Sequence, residues 1–152
     1  MFEWIEALTI TGDAARARAF VPHDLPQLAD HFPGQPLVPG SLLLELLAQT
    51  GGPLAEAACP EARWALLGLV RSASFPAPTP LAAPGVRLAL SAELTRLEPS
   101  SACVRARAQV AGEDRARAEL VFTLQPAGPG WEPALAARAA RLARWRAAWE
   151  GP

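Results

Sequence analysis

The chain has 152 residues, 51% of them hydrophobic, enough for one domain whose core needs neither disulfides nor metal to hold it. Fourteen basic residues against fifteen acidic ones leave a net charge of -1, so no overall field favours nucleic acid or an anionic membrane. Cys59 and Cys103 are far apart, form no CxxC and are accompanied by only two histidines, which argues against a metal site and predicts two inert thiols.

Met1 is followed by Phe2-Glu3-Trp4 rather than by a basic and then an apolar stretch, so no signal peptide is expected and a cytoplasmic location is the default. No uncharged apolar run reaches membrane-spanning length. Residues 2–11 read as a short strand ended by Gly12-Asp13, and residues 14–21 alternate as its hairpin partner. Pro22, Pro26, Pro33, Pro36 and Pro39 then crowd together, which predicts an ordered, non-helical loop. His23 in this stretch has no partner at useful spacing and reads as structural or solvent-exposed.

Residues 40–57 switch to strong helix formers. Leu42, Leu43, Leu44, Leu46 and Leu47 surround the axis, so a buried helix is expected, with Gly51-Gly52-Pro53 placed to kink or end it. Residues 63–75 read as a strand, followed by a Pro-rich turn through Pro84-Gly85. Residues 86–97, 102–111 and 115–124 alternate small or apolar with polar positions, the pattern of an antiparallel meander with one buried face. The order predicts an α+β domain, a sheet wrapped on a central helix, over residues 1–125. Residues 126–130 (PAGPG) form a breaker linker. Residues 131–149 predict an amphipathic C-terminal helix packed on the domain or on a partner, with Trp131, Leu135, Leu142, Trp145 and Trp149 on one stripe. Arg138, Arg141, Arg144 and Arg146 lie mostly off that stripe. They read as a solvated face, with a contact to an acidic carrier protein as the other reading.

The segment His31 to Glu45 (HFPGQPLVPGSLLLE) carries the chemistry. Glu45 is the only charge in the first turns of an apolar helix, and a buried carboxyl is pushed towards its protonated form, the form that donates a proton near neutral pH. His31 sits on the proline-braced loop, and a neutral imidazole is a suitable base. Gly40 opens the helix, where its amide lacks an intrahelical acceptor and stands at the positive end of the dipole. A base, an acid and an oxyanion donor are what is needed to remove water across C2–C3 of a 3-hydroxyacyl thioester.

The pattern HFPGxPxxPGxxxxE, continuing through Leu46-Leu47-Ala48-Gln49-Thr50-Gly51-Gly52, resembles the active-site motif of the 3-hydroxyacyl-acyl carrier protein dehydratases of the FabZ/FabA type. The resemblance implies the hotdog fold. It implies catalytic roles for His31 and Glu45, carbonyl polarisation by Gly40, and a helix position at Gln49 that orients the acid. A Glu rather than an Asp at position 45 is similar to the FabZ branch. Phe32, Pro39, Gln49 and Phe75 are expected against the substrate. No metal or organic cofactor is implied. The implied partners are acyl carrier protein and a second copy of the chain, because the family pairs the His of one protomer with the Glu of the other. A trimer of dimers is compatible with this.

The resemblance is weaker over residues 68–124, through Gly68–Phe75 and Leu81–Gly85. Four features depart from the family pattern: a shortened N-terminal part, Pro76-Ala77-Pro78 where a basic pair usually stands, no Tyr to gate the substrate tunnel, and the 126–152 extension. Two other readings stand beside dehydration: a non-catalytic or specificity subunit of a hotdog heterodimer, and a hotdog acyl-CoA thioesterase.

Overall fold

A computed structural model describes residues 3–28, 31 and 33–151. Strands β1 (Ile5–Thr11) and β2 (Ala14–Pro22) form the first hairpin. Helix α1 (Gly40–Ala57) follows the Pro-rich loop, and then come β3 (Arg63–Ser74), β4 (Gly85–Glu98), β5 (Ser101–Val110) and β6 (Glu113–Pro126). Helix α2 (Glu132–Ala147) closes the chain. The strands form one antiparallel sheet in the order β1-β2-β4-β5-β6-β3, and α1 lies against every strand of it. This is the hotdog arrangement.

The alternation seen in the sequence builds the inner face. Ala15, Ala17, Ala19 and Val21 of β2, Leu88 and Leu90 of β4, Val104 and Ala106 of β5, and Leu120 and Phe122 of β6 are all buried. Many of these residues are alanine. Small side chains on the sheet leave room for the leucines of α1, and Leu42, Leu43, Leu46, Leu47 and Leu54 fill it. Register shifts that add a residue to β1, β3, β4 and β6 break the ladder locally, the kind of irregularity that bends a strand.

Several expectations need correction. The helix does not end at Gly51-Gly52-Pro53 but runs on to Ala57. The glycine there serves packing: a Cβ on Gly51 would stand 3.1 Å from Val104 Cγ1 and 3.2 Å from Phe122 Cε2. The helix is also not buried all round, since Ser41 and Glu45 are exposed and Leu44 is half-buried. The chain's own sheet covers one side of α1 and leaves this face open. The Pro-rich loop contains a 3-10 turn at Pro26–Leu28, closed by Leu28 N–H donating to Leu25 O at 2.9 Å.

Strand β3 is an edge, and of its residues only Ala65 is buried. Leu66, Leu67 and Leu69 remain 43%, 42% and 56% exposed. Helix α2 crosses from this edge to the other. Its start is anchored at β3, where the Trp131 and Trp64 rings meet edge to face at 5.3 Å. Midway, Arg138 stacks over Trp64 at 4.4 Å and pairs with Glu56 at the end of α1. Its far end lies on β1. Trp145 is buried there, Glu3 faces Arg141 and Arg144, and Arg18 of β2 donates to Ala148 O at 3.0 Å. Arg138 therefore does not belong to a solvated face. Its guanidinium turns inward because a half-buried carboxylate and an indole ring offer it both charge and surface.

Candidate active site

The loop before α1 is held from two sides. Val38 N–H donates to Thr79 O at 2.9 Å and Leu81 N–H to Pro36 O at 2.8 Å, so the motif is tied to the Pro-rich connector between β3 and β4. His31 is set by the 3-10 turn, its N–H donating to Leu28 O at 3.0 Å. Pro39 is the residue before the helix, with extended backbone (φ -60°, ψ 146°), and its carbonyl accepts from Leu42 and Leu43. No side chain caps this end. The amides of Gly40 and Ser41 therefore project from the helix N-terminus, where the dipole favours developing negative charge.

His31, Pro39, Gly40 and Phe75 line one cavity of about 370 Å3, together with Thr79 and Leu43. Gly40 has a steric reason to be glycine. A Cβ there would stand 3.0–3.2 Å from three atoms of the Phe75 ring. Phe75 is 45% exposed and forms the outer wall. Phe32 lies outside the described residues.

Glu45 is not in this cavity. Five residues along an α-helix place it about 7.5 Å further on and about 140° round the axis from Gly40. It lines a second, larger cavity of about 780 Å3, bounded by α1, β3 and α2, and Gln49 lines it too. Gln49 Nε2 donates to Glu45 Oε1 at 2.8 Å. The expected burial of Glu45 is thus corrected, because its carboxylate sits on the uncovered face of α1. Within a single chain the three chemical groups divide between two cavities, with base and oxyanion donor in one and acid in the other.

The far end of the larger cavity has its own charge pair. Glu56 Oε1 accepts from Ala65 N–H at 2.7 Å and lies 2.5 Å from Arg138 Nη2. Burial raises the Glu56 pKa, while the Ala65 amide and the Arg138 charge lower it, with burial dominating. Cys59, next to this helix end, donates to Ala55 O at 3.2 Å, and burial raises its thiol pKa.

The sequence reading missed Thr79, Trp64, Glu56 and Arg138 as cavity residues. A threonine between Pro78 and Pro80 was the one available signal for Thr79. The others come together only through the crossing of α2. Among the described residues no group of His, Cys, Asp and Glu is arranged to hold a metal ion, and no helix is long and apolar enough to cross a membrane.

No family model matches the chain. Curated relatives do. A 3-hydroxyacyl-[acyl-carrier-protein] dehydratase FabZ of Thermus thermophilus is 39% identical over 104 residues, 67% of this chain and 71% of that protein. The FabZ of Ligilactobacillus salivarius is 34% identical over 117 residues, 76% of this chain and 81% of that protein. Among solved structures, a thioesterase of Haemophilus influenzae aligns with a TM-score of 0.62 at 12% identity, covering 79% of this chain and 77% of that one. A Bacillus halodurans protein solved with CoA aligns with a TM-score of 0.62 at 14% identity, covering 81% and 76%. At such identities the structural likeness speaks for the hotdog fold alone. The sequence relatives carry the finer assignment: the chain belongs to the FabZ family of 3-hydroxyacyl-[acyl-carrier-protein] dehydratases.

Proposed function

We propose that residues 1–125 form a cytoplasmic dehydratase domain that converts 3-hydroxyacyl thioesters on acyl carrier protein to trans-2-enoyl thioesters, in fatty-acid or polyketide/polyene biosynthesis. The supporting observation is the placement of the motif: His31 and Gly40 share one cavity, and Glu45 with Gln49 faces another. His31 takes the C2 proton. The Gly40 amide donates to the thioester oxygen as negative charge develops there. Electrons of the broken C2–H bond form the C2–C3 double bond, the C3–O bond breaks, and Glu45 protonates the departing hydroxyl, which leaves as water. The His31 proton then returns to Glu45 through solvent. Each proton transfer is worth about 10²–10⁴-fold.

The working site is built from two copies of the chain. An edge strand that exposes Leu66, Leu67 and Leu69 is a surface for pairing rather than for water. Pairing β3 with β3 of a second copy continues the sheet and brings the partner's loop over the open face of α1 that carries Glu45.

Purified protein is given 3-hydroxyacyl-acyl carrier protein, and conjugated enoyl product is followed by absorbance alongside free thiol. Enoyl formation without thiol release is expected; thiol release alone would make the protein a thioesterase. His31→Ala and Glu45→Gln are each inactive, but mixing them under subunit exchange restores about a quarter of the wild-type rate, because half the dimers then carry one intact site. No recovery on mixing would place both groups in one chain, and turnover unchanged in either variant would remove the assignment.

A further inference from the structure

We propose that α2 is a specificity element: its inner face walls the cavity onto which Glu45 opens, and its Arg138–Glu56 pair sets the length of acyl tail the site accepts. The inference rests on the dehydratase reading and adds the part of the chain that lies beyond the motif.

The cavity of about 780 Å3 has an order along α1. Glu45 and Gln49 stand at one end. The middle is apolar, with Leu66 and Phe122 from the sheet and Leu135 and Leu142 from α2. Towards the other end stands Glu56, which is held by Arg138 and Ala65 N–H while Arg138 stacks over Trp64. Glu56 lies eleven helical positions beyond Glu45, a run of about 16 Å.

This is the shape of a slot for a chain that reacts at one end and is apolar along its length. A thioester held beside Glu45 directs its tail along α1 beneath α2. A tail reaching Glu56 meets an ion pair already partly withdrawn from water, with side-chain exposures of 26% for Arg138 and 17% for Glu56. Pushing apolar carbon against it requires parting the two charges, which is costly in a partly buried setting. Shorter tails stop in the apolar middle and never reach the pair. Helix α2 is a wall that can be altered without touching α1 or the sheet core. Trp131 against Trp64 and Arg144 against Glu3 anchor its two ends from outside the cavity lining.

The experiment measures kcat/KM for 3-hydroxybutyryl-, 3-hydroxyoctanoyl- and 3-hydroxyhexadecanoyl-acyl carrier protein with wild type, Leu135→Trp and Arg138→Ala. Dissociation constants for saturated acyl-pantetheine thioesters of the same lengths are measured in parallel. The readout is the ratio of long to short within one preparation, which cancels any loss of folded fraction. Leu135→Trp narrows the slot and lowers the ratio by about tenfold or more, and Arg138→Ala opens its end and raises it. If Leu135→Trp does not fold, Ala137→Trp on the same wall replaces it. Ratios equal to wild type in both variants overturn the proposal. If wild type binds the thioesters but dehydrates none, the dehydratase reading fails, and the binding ratios still decide the role of α2.

Discussion

Gln49 Nε2 donates to Glu45 Oε1 at 2.8 Å, one helical turn apart on the face of α1 that the sheet leaves open. The amide restrains the carboxyl, and both side chains line the larger cavity. Glu45→Gln is expected to lower kcat/KM by about 10²–10⁴-fold with little change in melting temperature, since the side chain is exposed. Gln49→Ala removes the orienting bond and lowers kcat by about tenfold with KM nearly unchanged. Steady-state kinetics beside a thermal melt separates the two effects.

Gly40 is packed beneath Phe75. Gly40→Ala therefore displaces the ring, although alanine is by up to about 1 kcal/mol the better helix former. The expected result is a protein that is no less stable but has lower kcat/KM. Adding Phe75→Leu to Gly40→Ala recovers part of the loss by freeing the space. Equal activity of Gly40→Ala and wild type would show that the amide does not need a bare α-carbon.

Glu56 gives a pH signature. Burial raises its folded-state pKa above the ordinary 4.5, so its contribution to stability is complete below the unfolded value and declines as pH rises through the folded one. Arg138 opposes that rise, and Arg138→Ala leaves burial less balanced and shifts the carboxyl further up. The variant should lose about 1–3 kcal/mol at pH 7 and less near pH 4, where Glu56 is protonated in both proteins. Carbon-detected NMR titration of the carboxyl, with denaturation at the two pH values, checks the direction.

Thr79 is 2% exposed, and among the described residues its hydroxyl has no hydrogen-bond partner. A buried unpaired hydroxyl costs about 1–3 kcal/mol. Thr79→Val should therefore leave stability unchanged or raise it by about 1 kcal/mol, as read from a denaturation midpoint. The connection of Val38 N–H to Thr79 O is made by the backbone and survives the change. A clear loss of stability would mean that the hydroxyl has a partner in the assembled protein.

The exposed leucines of β3 predict a concentration-dependent assembly. Leu69→Asp places a charge in the middle of the proposed contact and should convert the dimer to a monomer in sedimentation, with activity falling together with it. A dimer that survives Leu69→Asp would move the interface elsewhere on the chain.

The sheet and the candidate groups for the chemistry were legible in the residue pattern alone. Period-two alternation in residues 102–111 and 115–124 settles which side of β5 and β6 is buried, because successive side chains of a strand point to opposite faces. The spacing from His31 to Glu45 singles out a base, a glycine amide and an acid, because a proline-braced loop running into a helix has little conformational choice. Three matters were decided only in three dimensions. The leucine-rich helix reads as buried on all sides, yet Glu45 stands on an open face, since a single sheet covers one side of a helix and composition cannot say what covers the other. The crossing of α2 turns Arg138 from a surface charge into the partner of Glu56, a contact across 82 positions that no local pattern encodes. The motif that reads as one site is divided between two cavities, because a helix carries residues five positions apart onto different faces. His31 to Glu45 is continuous in sequence and divided in space, and that division is what motivates the proposed second copy of the chain.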